Sequence, residues 1–262
     1  MRRRPAPGRR RPSLPAGQPD RIAPETPGIV VGNTTPKYTS RNPAIRWLTE
    51  RWVASLEAIF ERVAERPAES PTESPAESPA DSPTRALEVG CGEGVIAGRL
   101  GRRWSQVVAL DLPDADLRRQ WRGCRGPRFL HADAHALPFE DRQFDLVVAV
   151  EVLEHLHDPL TGLQELARVG SRHLVLSVPR EPVFRSCNLL TGRYLGDLGN
   201  TPGHLNHWSR RGFVRLVSSV ATVMEVASPF PWTIVWAVLP DRPSRPTRRF
   251  AARPDRPGAR SP

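Results

Sequence analysis

The run Leu87-Glu88-Val89-Gly90-Cys91-Gly92-Glu93-Gly94 passes from a short apolar stretch into glycines at every second position, and a helical pattern follows. Backbone without a Cβ can turn sharply and come close to a ligand, while the helix start beyond it presents free N–H groups. Apolar runs at 86–89, 107–110, 129–131, 144–150 and 174–178 then alternate with helix-like stretches near 94–103, 114–122 and 156–168. This alternation predicts a parallel α/β sheet. The continuous Leu-Val-Val-Ala-Val of 146–150 fits a central strand covered on both faces. A further helix is expected over about 209–219, and the Pro-bracketed run 232–239 reads as a closing edge strand. The glycine spacing is G-x-G-x-G, not the G-x-G-x-x-G of dinucleotide enzymes, so a nicotinamide cofactor is disfavoured.

The remaining chain divides by composition. Residues 1–30 hold seven prolines and seven arginines against Asp20 and Glu25, and read as a disordered Pro/Arg-rich tail. Region 31–66 contains one amphipathic helix from about 42, with Ile45, Leu48, Val53, Leu56, Ile59, Phe60 and Val63 at helical spacing. In 67–84 proline recurs every fourth residue among Glu and Ser, which excludes helix and sheet and leaves an extended acidic linker. The folded α/β domain is expected over 85–240, and 241–262 returns to Pro/Arg-rich disorder. Each tail has a net charge of +5, so the chain's total of +10 lies in the tails and 31–240 is neutral. A basic nucleic-acid-binding core is therefore disfavoured. Cys91, Cys124 and Cys187 form no CxxC pair, which argues against a disulfide framework or a thiolate zinc site. No apolar run approaches the roughly 20 residues of a membrane helix. With no apolar stretch after the N-terminal arginines, the expectation is a cytoplasmic protein.

Two carboxylates follow successive strands. Asp111 ends the run 107–110 and can accept from both hydroxyls of a ribose, or it can cap the helix opening near Pro113. Asp133, in His131-Ala132-Asp133-Ala134, can accept from an adenine amine or serve as a turn carboxylate. With Glu88-x-Gly90-x-Gly92-x-Gly94, Leu137-Pro138-Phe139 and Phe144-Asp145, these residues resemble the ordered motifs of class I S-adenosylmethionine-dependent methyltransferases over about 86–240. The resemblance implies a single-domain, Rossmann-like α/β fold: a seven-stranded, mostly parallel sheet with one antiparallel strand and helices on both faces. It also implies S-adenosyl-L-methionine bound by Glu88, Gly90, Cys91, Gly92, Asp111, Leu112, Asp133, Ala134 and Glu151. The helix after Lys37-Tyr38 would cap that cofactor.

The segment Glu151-Val-Leu-Glu154-His155 places two carboxylates and an imidazole where they can share one face. Similar E-x-x-E-H segments occur in quinone-pathway and small-RNA O-methyltransferases, which implies Glu151, Glu154, His155 and His204 as ligands of a divalent metal. The other reading has the acidic groups capping a helix and the histidine packing near the cofactor. His155 and His204 are also the expected general bases. Between the fifth strand and the last helix, Phe184, Arg185, Asn188, Arg193, Tyr194 and Asn200 suit a polar small molecule. The function expected is S-adenosylmethionine-dependent methylation of a small-molecule acceptor, on oxygen. Two alternatives stand beside it, a metal-assisted RNA 2′-O-methyltransferase and a non-catalytic cofactor-binding regulatory module.

Overall fold

A computed structural model describes Tyr38 and residues 40–65, 84–190 and 195–241. Apart from Thr84 and Asp241, the proposed tails and linker lie outside the described residues, as do Lys37, Arg193 and Tyr194. Helix α1 (Pro43–Glu65) is capped by Asn42, whose Oδ1 accepts from Ala44 N at 2.9 Å. There follow β1 (Arg85–Val89), α2 (Val95–Leu100), β2 (Gln106–Asp111), α3 (Ala115–Trp121), β3 (Arg128–His131) and β4 (Phe144–Val150). The chain continues through α4 (Pro159–Val169), β5 (Gly170–Pro179), α5 (Val183–Leu190), α6 (Arg210–Ser218), β6 (Thr222–Ala227) and β7 (Trp232–Val238).

The seven strands form one sheet in the order β3-β2-β1-β4-β5-β7-β6, and β7 alone runs antiparallel to its neighbours. Strand order reverses between β1 and β4, which opens a crevice at their carboxyl ends. One face buries Ala86, Val107, Ala109, Val148 and Ile234 against α1, α2 and α3. The other buries Leu87, Val108, Val147, Leu176 and Val235 against α4 and α6. Two apolar layers thus share the strands at alternate residues, as the period of two requires.

Three expectations need correction. The run at 232–239 is not an edge strand: β7 lies between β5 and β6 with six of its seven residues buried. The edge belongs to β6, whose residues are exposed or half-buried. The helix expected from 156 starts at Pro159, where Asp158 accepts from Leu160 N and Thr161 N. The helix after β2 is capped by Asp114, not Asp111, with Asp114 Oδ1 accepting from Asp116 N and Leu117 N.

Helix α1 is fastened to the sheet despite its separation in sequence. Trp52 is fully buried, donates from Nε1 to Ser177 Oγ at 3.0 Å and stacks on Trp232 with ring centroids 5.2 Å apart. Ion pairs Arg62–Glu225 and Arg99–Glu57 tie its outer side to β6 and α2. On the opposite layer, Arg168 of α4 binds Glu165, Asp141 and the carbonyl oxygens of Leu137 and Phe139, which pins the Leu-Pro-Phe turn before β4.

Candidate active site

The crevice at the β1/β4 switch point is a cavity of about 960 Å³ closed on one side by the N-terminal end of α1. All nine residues expected to hold the cofactor line it, as do both catalytic candidates, His155 and His204. Its floor is the turn after β1. Gly90 has φ +74, and a Cβ there would lie 2.2 Å from Val152 Cγ2. Gly92 has φ +48 and a Cβ there would meet no protein atom within 4 Å, leaving room for a ligand against the backbone. Glu88 is buried at the end of β1 behind this turn.

Asp111 organises the turn. Its Oδ2 accepts from Gly92 N at 2.7 Å and its Oδ1 from Leu112 N at 2.8 Å. Burial raises its pKa above the ordinary carboxylate value, and the two N–H groups and His131 oppose that rise. Asp133 Oδ1 accepts from His135 N at 2.9 Å and pairs with His135 Nδ1 at 2.8 Å. Asp133 is thus a turn carboxylate and a cavity residue at once.

A brace behind the turn escaped the sequence reading. Trp121 of α3 donates from Nε1 to Gly92 O at 2.8 Å and stacks on Phe129, with centroids 5.1 Å apart. His131 lies 4.8 Å from the Trp121 ring, and its Nδ1 is 3.2 Å from Leu112 O. A carbonyl only accepts, so Nδ1 carries the proton. Trp121 falls within the helix expected near 114–122, but nothing in the sequence shows the reach of its indole N–H.

At the other end of the cavity, Glu154, His155 and His204 bring one ligand atom each within 4.8 Å of one another. His155 Nδ1 donates to Gly203 O at 2.8 Å, which makes Nε2 the lone-pair nitrogen. His155 and His204 meet edge to face with centroids 4.9 Å apart. Glu151 is not part of this group: its carboxylate accepts from Trp232 Nε1. Its backbone is held at φ 56 at the end of β4, an uncommon conformation for a residue with a side chain. Phe184 joins the two regions, lying 6.2 Å from the Trp232 ring and 5.9 Å from that of His204.

Other residues assigned to the acceptor divide. Phe184 and Asn188 line the cavity, whereas Arg185 Nε reaches Leu198 O and Asn200 Oδ1 pairs with His207 Nε2. Tyr38 lines the cavity over α1, stacked 6.3 Å from Trp52, and burial raises its pKa. Among the described residues no helix is long and apolar enough to cross a membrane.

A family model described as a methyltransferase domain matches residues 87–173. An uncharacterised methyltransferase of Mycobacterium tuberculosis is 32% identical over 148 residues, covering 56% of this chain and 68% of that one. A ubiquinone biosynthesis O-methyltransferase of a Ruegeria species is 32% identical over 106 residues, covering 37% and 42%. Among solved structures, the magnesium protoporphyrin IX methyltransferase of Synechocystis with bound S-adenosylhomocysteine shares the fold at a TM-score of 0.54. That structure is 16% identical, over 77% of this chain and 89% of its own. The switch-point cavity, its glycine floor and these relationships make the chain a member of the class I S-adenosylmethionine-dependent methyltransferases.

Proposed function

We propose that this methyltransferase acts on a hydroxyl oxygen of a small-molecule acceptor. The cavity fits the cofactor, since the space at the Gly92 Cβ position is empty of protein and every expected contact residue faces one volume. Gly90, Cys91 and Gly92 would approach the methionyl part, Asp111 and Leu112 the ribose, and Asp133 with Ala134 the adenine, with Glu88 and Glu151 shaping the turn and the β4 end. When bound, the cofactor supplies an electrophilic methyl group on a sulfonium. The chain's own residues hold the acceptor, exclude water and remove a proton.

The observation that carries the oxygen reading is the fixed tautomer of His155. Its Nδ1–H is held by Gly203 O, so Nε2 is the atom able to take a hydroxyl proton, with His204 packed against the ring. An amine acceptor would need less help from such a base. The relative named as a ubiquinone biosynthesis O-methyltransferase supports methylation on oxygen.

The cluster of Glu154, His155 and His204 supports a second reading, in which a divalent metal beside the acceptor acidifies the hydroxyl. The donor types suit a borderline ion, and the Nδ1 contact to a carbonyl resembles the outer contact of a metal-bound histidine. Three residues would hold it, not the four expected, since Glu151 is not among the ligand atoms that cluster and accepts from Trp232 instead. Mass spectrometry of a cell extract incubated with the protein and methyl-labelled cofactor tests the proposal. The expected product is a small molecule with one labelled methyl ether; label on nitrogen or carbon overturns it.

A further inference from the structure

The turn after β3 joins two cavity residues, Asp133 and His135. Strands β2 and β3 pair in the register Asp111–His131, and Ala132 N donates to Asp111 O at 3.1 Å, so Asp133 lies beside the strand end that carries Asp111. The two oxygens of Asp133 have unlike surroundings. Oδ1 accepts from His135 N at 2.9 Å and from His135 Nδ1 at 2.8 Å. A carboxylate oxygen only accepts, so Nδ1 carries the proton. Oδ2 has no partner among the described residues, and the side chain is 36% exposed.

The main-chain bond closes the turn, and any residue except proline at 135 would supply it. The ring adds a second donor to the same oxygen. Its other nitrogen carries a penalty: Nε2 is buried and has no partner among the described residues. A side chain that only filled this space would be more stable there as leucine or phenylalanine, since a buried polar atom without a partner is destabilising. What offsets the penalty is the hold on Asp133. With both donors on Oδ1, the plane of the carboxylate is fixed and Oδ2 is the oxygen left for a ligand.

We propose that His135 is a positioning residue for purine recognition: it holds Asp133 so that Oδ2 meets the 6-amine of the adenine, and so makes the site select an amino-purine. The inference rests on the adenine reading of Asp133 and adds the residue that sets its selectivity. A carboxylate that is not held must be ordered when the ligand arrives, which weakens binding about two- to tenfold. That loss falls only on ligands that donate to Oδ2.

Calorimetric titration compares S-adenosylhomocysteine with its analogue carrying hydrogen in place of the 6-amine. The wild type is expected to prefer the amine roughly 10- to 150-fold, as a bond to a charged acceptor provides. His135→Phe and His135→Leu remove the ring donor together with the partnerless nitrogen. Each should reduce the preference about two- to tenfold while the analogue binds as it does to wild type. His135→Asn offers an amide N–H in place of Nδ1–H and should restore the preference. Equal weakening of both ligands in the Phe and Leu variants marks a merely structural role and overturns the proposal. So does a preference within about 1.5-fold of wild type in both, or one that stays reduced in the Asn variant. Asp133→Ala separates the two readings. If it abolishes the preference while the Phe and Leu variants keep it, the adenine reading stands and the positioning role falls. No preference in the wild type, or one that survives Asp133→Ala, overturns both.

Discussion

Asp111 offers the sharpest separation of folding from binding. Both of its oxygens are held by backbone N–H groups, Gly92 at 2.7 Å and Leu112 at 2.8 Å, in a site where burial raises its pKa. Asp111→Asn keeps the shape, but an amide has one accepting oxygen and turns an NH2 toward the other N–H. The orphaned donor costs about 1–3 kcal/mol. Against this, the substitution removes a carboxylate whose charge is penalised by burial, so the two effects oppose each other and the melting temperature should move only a few degrees. Cofactor affinity has no such compensation. Losing a charge-assisted bond to a ribose hydroxyl, at about 1.5–3 kcal/mol, raises Kd roughly 10- to 150-fold. Calorimetric titration with S-adenosylhomocysteine, beside thermal melts of both proteins, reads the two quantities separately. A Kd within about threefold of wild type in a folded variant refutes the ribose assignment. The pH dependence follows the same sign. Because the folded pKa exceeds the unfolded one, Asp111 favours folding below its ordinary value of 3.8, and that contribution is lost as pH rises through the folded value. The melting temperature of the wild type relative to the Asn variant should therefore fall with rising pH in the acid range.

Three further outcomes are expected. Gly92→Ala should cost only the strain of its backbone, about 1–2 kcal/mol, yet abolish measurable cofactor binding in calorimetry; Gly90→Ala, whose Cβ would strike Val152, should lower the melting temperature much further. His155→Asn should lower turnover of the identified acceptor by roughly 10²- to 10⁴-fold while the calorimetric cofactor Kd is retained; wild-type turnover that dies in chelator and returns with a divalent ion would instead establish the metal reading. Arg168→Met should lose about 2–3 kcal/mol in urea denaturation. Glu165 has its pKa lowered by Arg168, so the pair's contribution is present above the unfolded value of 4.5 and fades as pH falls through the folded one, and the gap between wild type and variant should narrow on acidification.

The glycine turn, Asp111, Asp133 and the strand at 144–150 were legible in sequence because each depends on local spacing. What was hidden depends on partners far along the chain. Trp52 lay among the charged residues of a helix, and only its meeting with Ser177 and Trp232 makes it a core residue. The prolines around 232–239 suggested an edge, although Thr-Ile-Val-Trp-Ala has the continuous apolar character of a covered strand; the short alternating stretch that became β6 supplied the cover. At the site, Glu151 and Glu154 look equivalent on paper. In the fold they differ: Glu151 accepts from the indole N–H of Trp232, and Glu154 lies with the histidines.

The stacking of Trp52 on Trp232 joins the first helix of the described fold to its last strand, on either side of the cavity. A nascent chain emerging from the ribosome with β1 to β5 already formed would still lack one wall of its pocket. The cofactor residues from Glu88 to Glu151 would already be in place, so a fragment ending short of β7 is expected to bind cofactor more weakly, because α1 has lost Trp232 as its anchor.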